Sequence, residues 1–218
     1  MGYYPNEGDV DPNGAQEVNL RTAAGVELLG QQASAASLPV VIASNQSAIP
    51  VTTEGVKSTY SAAFVGLVPP SAATDVFTIT GSATKTIRIT SIRFSVSTTA
   101  GSGILANINL VKRSTADSGG TSTTAIIVPH DSTNAAGTAI VRGYTANPTL
   151  GTPVGPIRAI RYAATPASVP NQEIVMDFGT RPAQSIVLRG VTQQLCLNFG
   201  GATITGPISN FNIEFTEE

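Results

Sequence analysis

The chain of 218 residues contains one cysteine, one histidine and no tryptophan. A single cysteine, Cys196, excludes an internal disulfide, and a single histidine, His130, excludes a zinc cage built from Cys and His. Without tryptophan, and with few aromatics in loop-like stretches, the usual platforms for stacking sugars are missing. Charge is also scarce. Only 12% of residues are Asp, Glu, Lys or Arg, against about 25% in ordinary globular domains. Twelve cations meet fourteen anions, so the net charge of −2 leaves no basic footprint for nucleic acid. No apolar run approaches the ~20 residues that span a bilayer, and no membrane partner is expected. The opening MGYYPNEGDVDPNG is polar and acidic, unlike a secretory leader. Asn6 stands where a myristoylation signal needs Ser or Thr.

Ser, Thr, Asn and Gly take the places that Lys and Glu usually fill on a surface. A protein free in solution relies on charge to stay dispersed, whereas one packed against copies of itself needs less. Nine of the twelve cations are Arg and three are Lys (Lys57, Lys85, Lys112), in the direction that interfaces favour.

Gly and Pro punctuate the chain, β-branched residues fill the intervals, and no window carries a helical stripe. Alternation is plainest near the C-terminus. Ile174, Met176 and Phe178 share one face, as do Leu195, Leu197 and Phe199, and then Phe211, Ile213 and Phe215. Each run reads as a half-buried antiparallel strand. Further strands are expected near 75–80, 86–98, 105–112, 124–129, 138–144, 157–163 and 185–190. The run 86–98 changes phase: Ile87 and Ile89 are odd, whereas Ile92, Phe94 and Val96 are even. A bulge or a sheet-switching bend is therefore expected near Thr90 and Ser91. About ten short strands without crossover helices imply an all-β fold, a jelly-roll-like antiparallel β-sandwich over residues 58–218. The small-residue loops 113–123 and 130–138 suit its ends.

Residues 1–57 read differently, as an extended N-terminal arm. Val18 and Leu20, a tight turn, then Val26 and Leu28 describe a β-hairpin over about 18–28. The segment 37–51, with Leu38, the apolar Val40-Val41-Ile42, Ile49 and Val51, is held extended by Pro39 and Pro50. It is too apolar to stand free in water. These ten apolar positions are the expected partner contacts, through strand addition or burial on a neighbouring subunit.

No chemical motif is persuasive. His130-Asp131-Ser132 holds the residue types of a hydrolase triad, but adjacent residues in one turn cannot flank an imidazole on opposite sides. The sequence reads as a polar turn after a strand. Asp9, Asp11, Asn13 and Gly14 match the start of a calcium loop, yet its twelfth position is Leu20 rather than a bidentate Glu. Gly101-Ser102-Gly103 and Gly119-Gly120 lack the helix and the Lys of a phosphate cradle. Glu173, Asp177 and Glu214 sit on polar strand faces, where charges are usually just solvated, and paired-carboxylate hydrolysis is the lesser reading. Arg88, Arg93, Arg142, Arg158, Arg161 and Arg189 fall on strands as solvent-facing or interface positions. No catalytic residue, cofactor or metal is assigned.

The segment SLPVVIASNQSAIPV (37–51) resembles a linker element of tailed-bacteriophage structural proteins, where it precedes a β-rich domain. The blocks LVKRSTADSGGTSTT (110–124), PHDSTNAAGTAIVRGYTANPTLGT (129–152) and FGTRPAQSIVLRG (178–190) are similar to a family of phage and prophage proteins taken to be virion components. The resemblance implies a virion structural protein and carries no catalytic residue with it. Together with the low charge and the arm, it leads to an expected capsid decoration (cement) protein. The partners would be itself, as a homotrimer, and the major capsid protein. The alternative is a fibre or receptor-binding adhesin with a host glycan bound near loops 113–123 or 144–156. A glycan hydrolase ranks last.

Overall fold

The computed structural model describes residues 57–169, 172–178 and 184–218. The expected hairpin at 18–28 and the extended segment 37–51 lie outside the described residues. So do the contact positions Val18, Leu20, Val26, Leu28, Leu38, Val40, Val41, Ile42, Ile49 and Val51, and the Asp9 motif.

The described residues are all-β, with no helix among them. Twelve strands follow in order: β1 (Thr59–Leu67), β2 (Asp75–Thr80), β3 (Ile87–Thr98), β4 (Ile104–Arg113), β5 (Thr121–Thr124), β6 (Ile127–Pro129), β7 (Ile140–Ala146), β8 (Pro153–Pro166), β9 (Ile174–Asp177), β10 (Ile186–Leu188), β11 (Gln194–Asn198) and β12 (Pro207–Glu217). Hydrogen bonding joins them into one sheet in the order β5-β7-β2-β11-β4-β8-β3-β12-β1-β6, with β9 and β10 added on β3. Two separate antiparallel sheets were expected. Instead the halves are continuous, and the join is a short parallel pairing of β3 with β8 at Ser97↔Thr165 and Thr98↔Pro166. Every other pairing is antiparallel, so the sheet is mixed and curls on itself as a half-barrel.

The curl closes over an aromatic core. Phe211 of β12 stacks on Phe77 of β2 at 5.2 Å, and Phe94 and Phe199 each lie 6.4 Å from it. Tyr60 stacks on Phe215 at 5.8 Å. The alternating residues read from sequence supply this core, including Met176, Leu195, Leu197, Ile213 and Phe215. Two buried phenols of the core are paired: Tyr60 donates to the Ala135 carbonyl (3.0 Å), and Tyr162 accepts Val96 N–H (3.0 Å) and donates to the Gln172 carbonyl (2.8 Å).

The expected phase change is a bulge at Thr90. β12 pairs Glu214 with Ser91 and then Phe215 with Ile89, so Thr90 has no partner across. On its other edge the bulge separates two partners, β10 at Ile87–Ile89 and β9 at Ser91–Phe94. One extra residue lets Ile89 and Ile92 both face the core. The run expected as one strand at 124–129 divides instead. β5 pairs with β7 and β6 with β1, so this chain passes from one half of the sheet to the other.

Candidate functional sites: a roofed polar layer and an open groove

On the outer side of β2, β11 and β4 the sheet carries a second buried layer, and this one is polar. Its placement depends on a bulge. Leu197 faces Phe77 and Asn198 faces Asp75, leaving Val76 unpaired. The slip turns Asp75 out of the apolar core and onto the face shared by Thr78, Gln194 and Cys196. Arg113 is opposite Gln194 on β4 and takes the same face. Its Nε donates to Asp75 Oδ2 (2.6 Å) and its second terminal nitrogen to Asp75 Oδ1 (3.0 Å), a bidentate pair. Asn198 Nδ2 also donates to Asp75 Oδ1, at 2.5 Å.

The segment between β4 and β5 folds over this pair as a roof. Asp117 N–H donates to Gln194 Oε1 (2.9 Å), and Asp117 Oδ1 accepts Gly151 N–H (2.8 Å) and lies 3.3 Å from Arg113 Nε. Arg113 Nη1 donates to the Gly151 carbonyl (2.7 Å). Further bonds fasten the roof to residues 149–152, among them Ser114 N–H to the Thr152 carbonyl (2.9 Å). Ser118 and Thr149 exchange backbone hydrogen bonds (3.0 and 2.7 Å), and Thr152 N–H donates to Thr115 Oγ1 (2.7 Å). The approach at Gly151 is so close that a Cβ there would collide with the Thr115 carbonyl.

Electrostatics in this layer follow from burial. For Asp75, burial alone would raise the carboxyl pKa, but hydrogen bonds from Arg113, Asp117 and Asn198 outweigh it and hold the group below the usual range. Asp117 goes the other way. Burial pushes it up to about 7, against the pull of Gly151 N–H, and the neighbouring Asp75 adds to the rise. The Cys196 thiol is raised well above its ordinary value, first by burial and then by the two carboxylates. It is an inert, protonated thiol that donates to Gln194 Oε1 (3.4 Å).

On the outer side of β1, β12 and β3 no segment among the described residues forms a roof. A groove of about 780 Å³ runs there, floored by Ser61, Ala63, Ser91, Arg93, Asn212 and Glu214, and bordered by residues 124–128 and by Glu173. Its border is apolar and uncovered: Ile126 is 83% and Val128 55% exposed, and Val65 farther along β1 is 89% exposed. Thr90 Oγ1 donates to Glu214 Oε1 (3.1 Å), so the bulge residue positions one carboxylate of the groove.

The residues singled out from sequence are distributed as follows. Glu173, Glu214 and Arg93 come together in the groove, while Asp177 lies exposed at the end of β9. His130 meets a serine, but a distant one: Nε2 lies 2.6 Å from Ser61 Oγ on β1. Asp131 turns away, accepting Thr133 N–H (2.9 Å) and the Thr133 hydroxyl (2.7 Å) in an Asx turn, and these bonds hold its carboxyl below the usual range. Among the described residues no carboxylate pairs with the His130 ring, so the third member of a triad does not assemble. Arg88 pairs with Glu218 at 2.8 Å. Arg158 and Arg161 lie exposed on β8, whose free edge over residues 153–164 also carries Pro153 and Pro156. Charge and proline on an open edge discourage unwanted strand pairing. Loops 113–123 and 144–156, the expected glycan loops, are largely spent on fastening the roof.

Asp75, Arg113 and Asp117 were not legible as a site. Each is an ordinary polar residue in sequence. Only the Val76 bulge and the folding back of the roof bring them together. Comparison with protein-family models, curated proteins and solved structures finds no match.

Proposed function

We propose that the protein is a structural component of a bacteriophage virion, a capsid decoration protein that stabilises the shell through contacts between subunits. The observation that carries this reading is the open outer face of β1, β12 and β3, where Ile126, Val128 and Val65 stand uncovered beside the groove. A monomer gains nothing by exposing large aliphatic side chains on one face, whereas a surface that meets a partner does. The low charge and the resemblance of residues 37–51 and of the body blocks to phage proteins point the same way.

In this reading residues 58–218 form a jelly-roll-like body, and residues 1–57 form an arm with a hairpin at 18–28 and an extended segment at 37–51. Bodies associate as homotrimers on the assembled head, and arms reach neighbouring subunits or the major capsid protein. Each contact is weak. Burying ~1,000 Å² of apolar surface gives on the order of 25 kcal/mol gross, but ordering an arm costs roughly 1–2 kcal/mol per residue. Many copies on one closed shell make up the difference through multivalency.

One feature of the groove favours a second reading, a fibre or adhesin. Arg93, Glu173, Asn212 and Glu214 converge there on a space large enough for a small glycan. Immunogold microscopy of purified virions with antibody against residues 58–218 separates the two. Gold spread over heads supports decoration, and gold confined to one vertex or to the tail tip supports the adhesin. Virions that take no gold, with an antibody shown to bind the purified protein, overturn both.

A further inference from the structure

Two buried oxygens of the polar layer, Thr78 Oγ1 and Asp117 Oδ2, lack a hydrogen-bond partner. Asp117 Oδ2 is fully buried and has no hydrogen-bond partner, although Oδ1 of the same carboxyl is well satisfied. Two carboxylates and one guanidinium sum to −1 in a place sealed from water, where an uncompensated charge is costly. Asp75 is the fully engaged member, accepting three hydrogen bonds from Arg113 and Asn198. One oxygen of each carboxyl and Cys196 Sγ lie within 4.8 Å of one another.

We infer that Asp117 holds a proton on Oδ2 and donates it to Asp75, so that the two carboxyls share one proton under the Arg113 guanidinium and together latch the roof. The proton completes both ledgers of the site: it gives the orphaned oxygen a hydrogen bond and brings the cluster to neutrality. A divalent cation is the competing occupant for a donor set of two carboxylates and a thiol. The guanidinium already takes both oxygens of Asp75 and stands 3.3 Å from Asp117, so positive charge is already supplied there. A second cation would meet Arg113 head on.

Titratable and charged groups face Asp117 from four packed strands. β2 contributes Asp75, β4 Arg113, β11 Cys196, and β7 Tyr144 with Arg142 behind it. Tyr144 is held protonated by burial and by the nearby acids, and Cys196 is protonated too. Asp117 is thus the group that releases a proton first as pH rises, consistent with a carboxyl pushed up to about 7. The proton leaves to water, two carboxylates then face each other, and their repulsion lifts Asp117 with residues 114–118 away from Gly151. Opening becomes up to about tenfold more frequent per pH unit from the ordinary carboxylate range up to about 7, and levels off above it. The inference does not depend on the virion assignment.

Carboxyl-carbon NMR of the full-length protein labelled at Asp tests it directly. The expected result is one Asp titrating near neutrality and one still ionised well below the ordinary range. In parallel, Gly151 amide exchange, corrected for intrinsic rate, should rise from pH 4 to about 7 and level off above neutrality in the wild type, and stay flat throughout in Asp117→Asn, whose amide can donate to Asp75 permanently. All Asp carboxyls titrating at ordinary values would overturn the shared proton, and the wild-type spectra decide this even if the variant does not fold. Displacement of the near-neutral titration by micromolar calcium or zinc would overturn it in favour of a cation site.

Discussion

Over β2, β11 and β4 the outer face of the sheet is roofed by residues 114–118 and fastened to 149–152, whereas over β1, β12 and β3 the described residues leave it bare. The roofed face holds a cluster of buried charges, Asp75, Arg113 and Asp117, and spends the small-residue loops to seal them. The open face carries mostly exposed polar groups, with the Ser91 hydroxyl buried and unpartnered, and exposed aliphatic side chains at its border. A chain with so little charge places part of it where it organises a loop, and leaves one face unfinished. The difference gives the first face to internal architecture and, in the proposed reading, the second to contact with a partner.

The comparison breaks most readily at Arg113. Arg113→Met leaves two buried carboxyls without their cation and should cost about 3–5 kcal/mol, read as a fall in the denaturation midpoint. Arg93→Met on the bare face should stay within about 0.5 kcal/mol. Equal losses at both positions would erase the distinction. Next comes Gly151→Ala, where the added methyl must push the Thr115 carbonyl aside. Overpacking at such a point costs roughly 1–3 kcal/mol, and exchange at Thr152 and Ser118 should rise with it.

pH sharpens the contrast further. The folded state keeps a proton on Asp117 that the unfolded chain releases near 3.8, so this group's stabilisation falls as pH rises from there to about 7 and is flat beyond. Asp75 acts in the opposite sense, since its depressed pKa contributes stability that is lost as pH falls below the ordinary carboxylate range. Chemical denaturation from pH 4 to 8 should show a mildly acidic optimum, and Asp117→Asn should remove the decline on the neutral side. The smallest effect on stability is expected at the bare face: Ile126→Ser with Val128→Ser should change it by no more than about 0.5 kcal/mol, measured by the same denaturation.

Much of the sheet was legible. Period-two alternation located β9, β11 and β12, and the phase slip at Ile89 and Ile92 located the Thr90 bulge. β1 was missed because Ala62, Ala63 and Gly66 dilute its alternation and Phe64 and Val65 break it. β8 is longer than its apolar pattern because Pro153, Gly155 and Pro156 are tolerated on a free edge. The split of 124–129 was hidden since both halves look equally β-prone, and only their partners differ. Neither site was readable in full. Glu173, Glu214 and Arg93 were noticed one by one, but their meeting needs three strands in register. Asp75 and Arg113 are 38 residues apart and share a face only because Val76 is extra.

The most direct test of the central claim is co-sedimentation of the full-length protein with heads that lack it, comparing wild type with the Ile126→Ser, Val128→Ser double variant. The account predicts that the variant folds with unchanged stability and is largely lost from the head fraction. Binding of the folded variant as tight as wild type would contradict the assignment of the bare face as the surface that meets the particle.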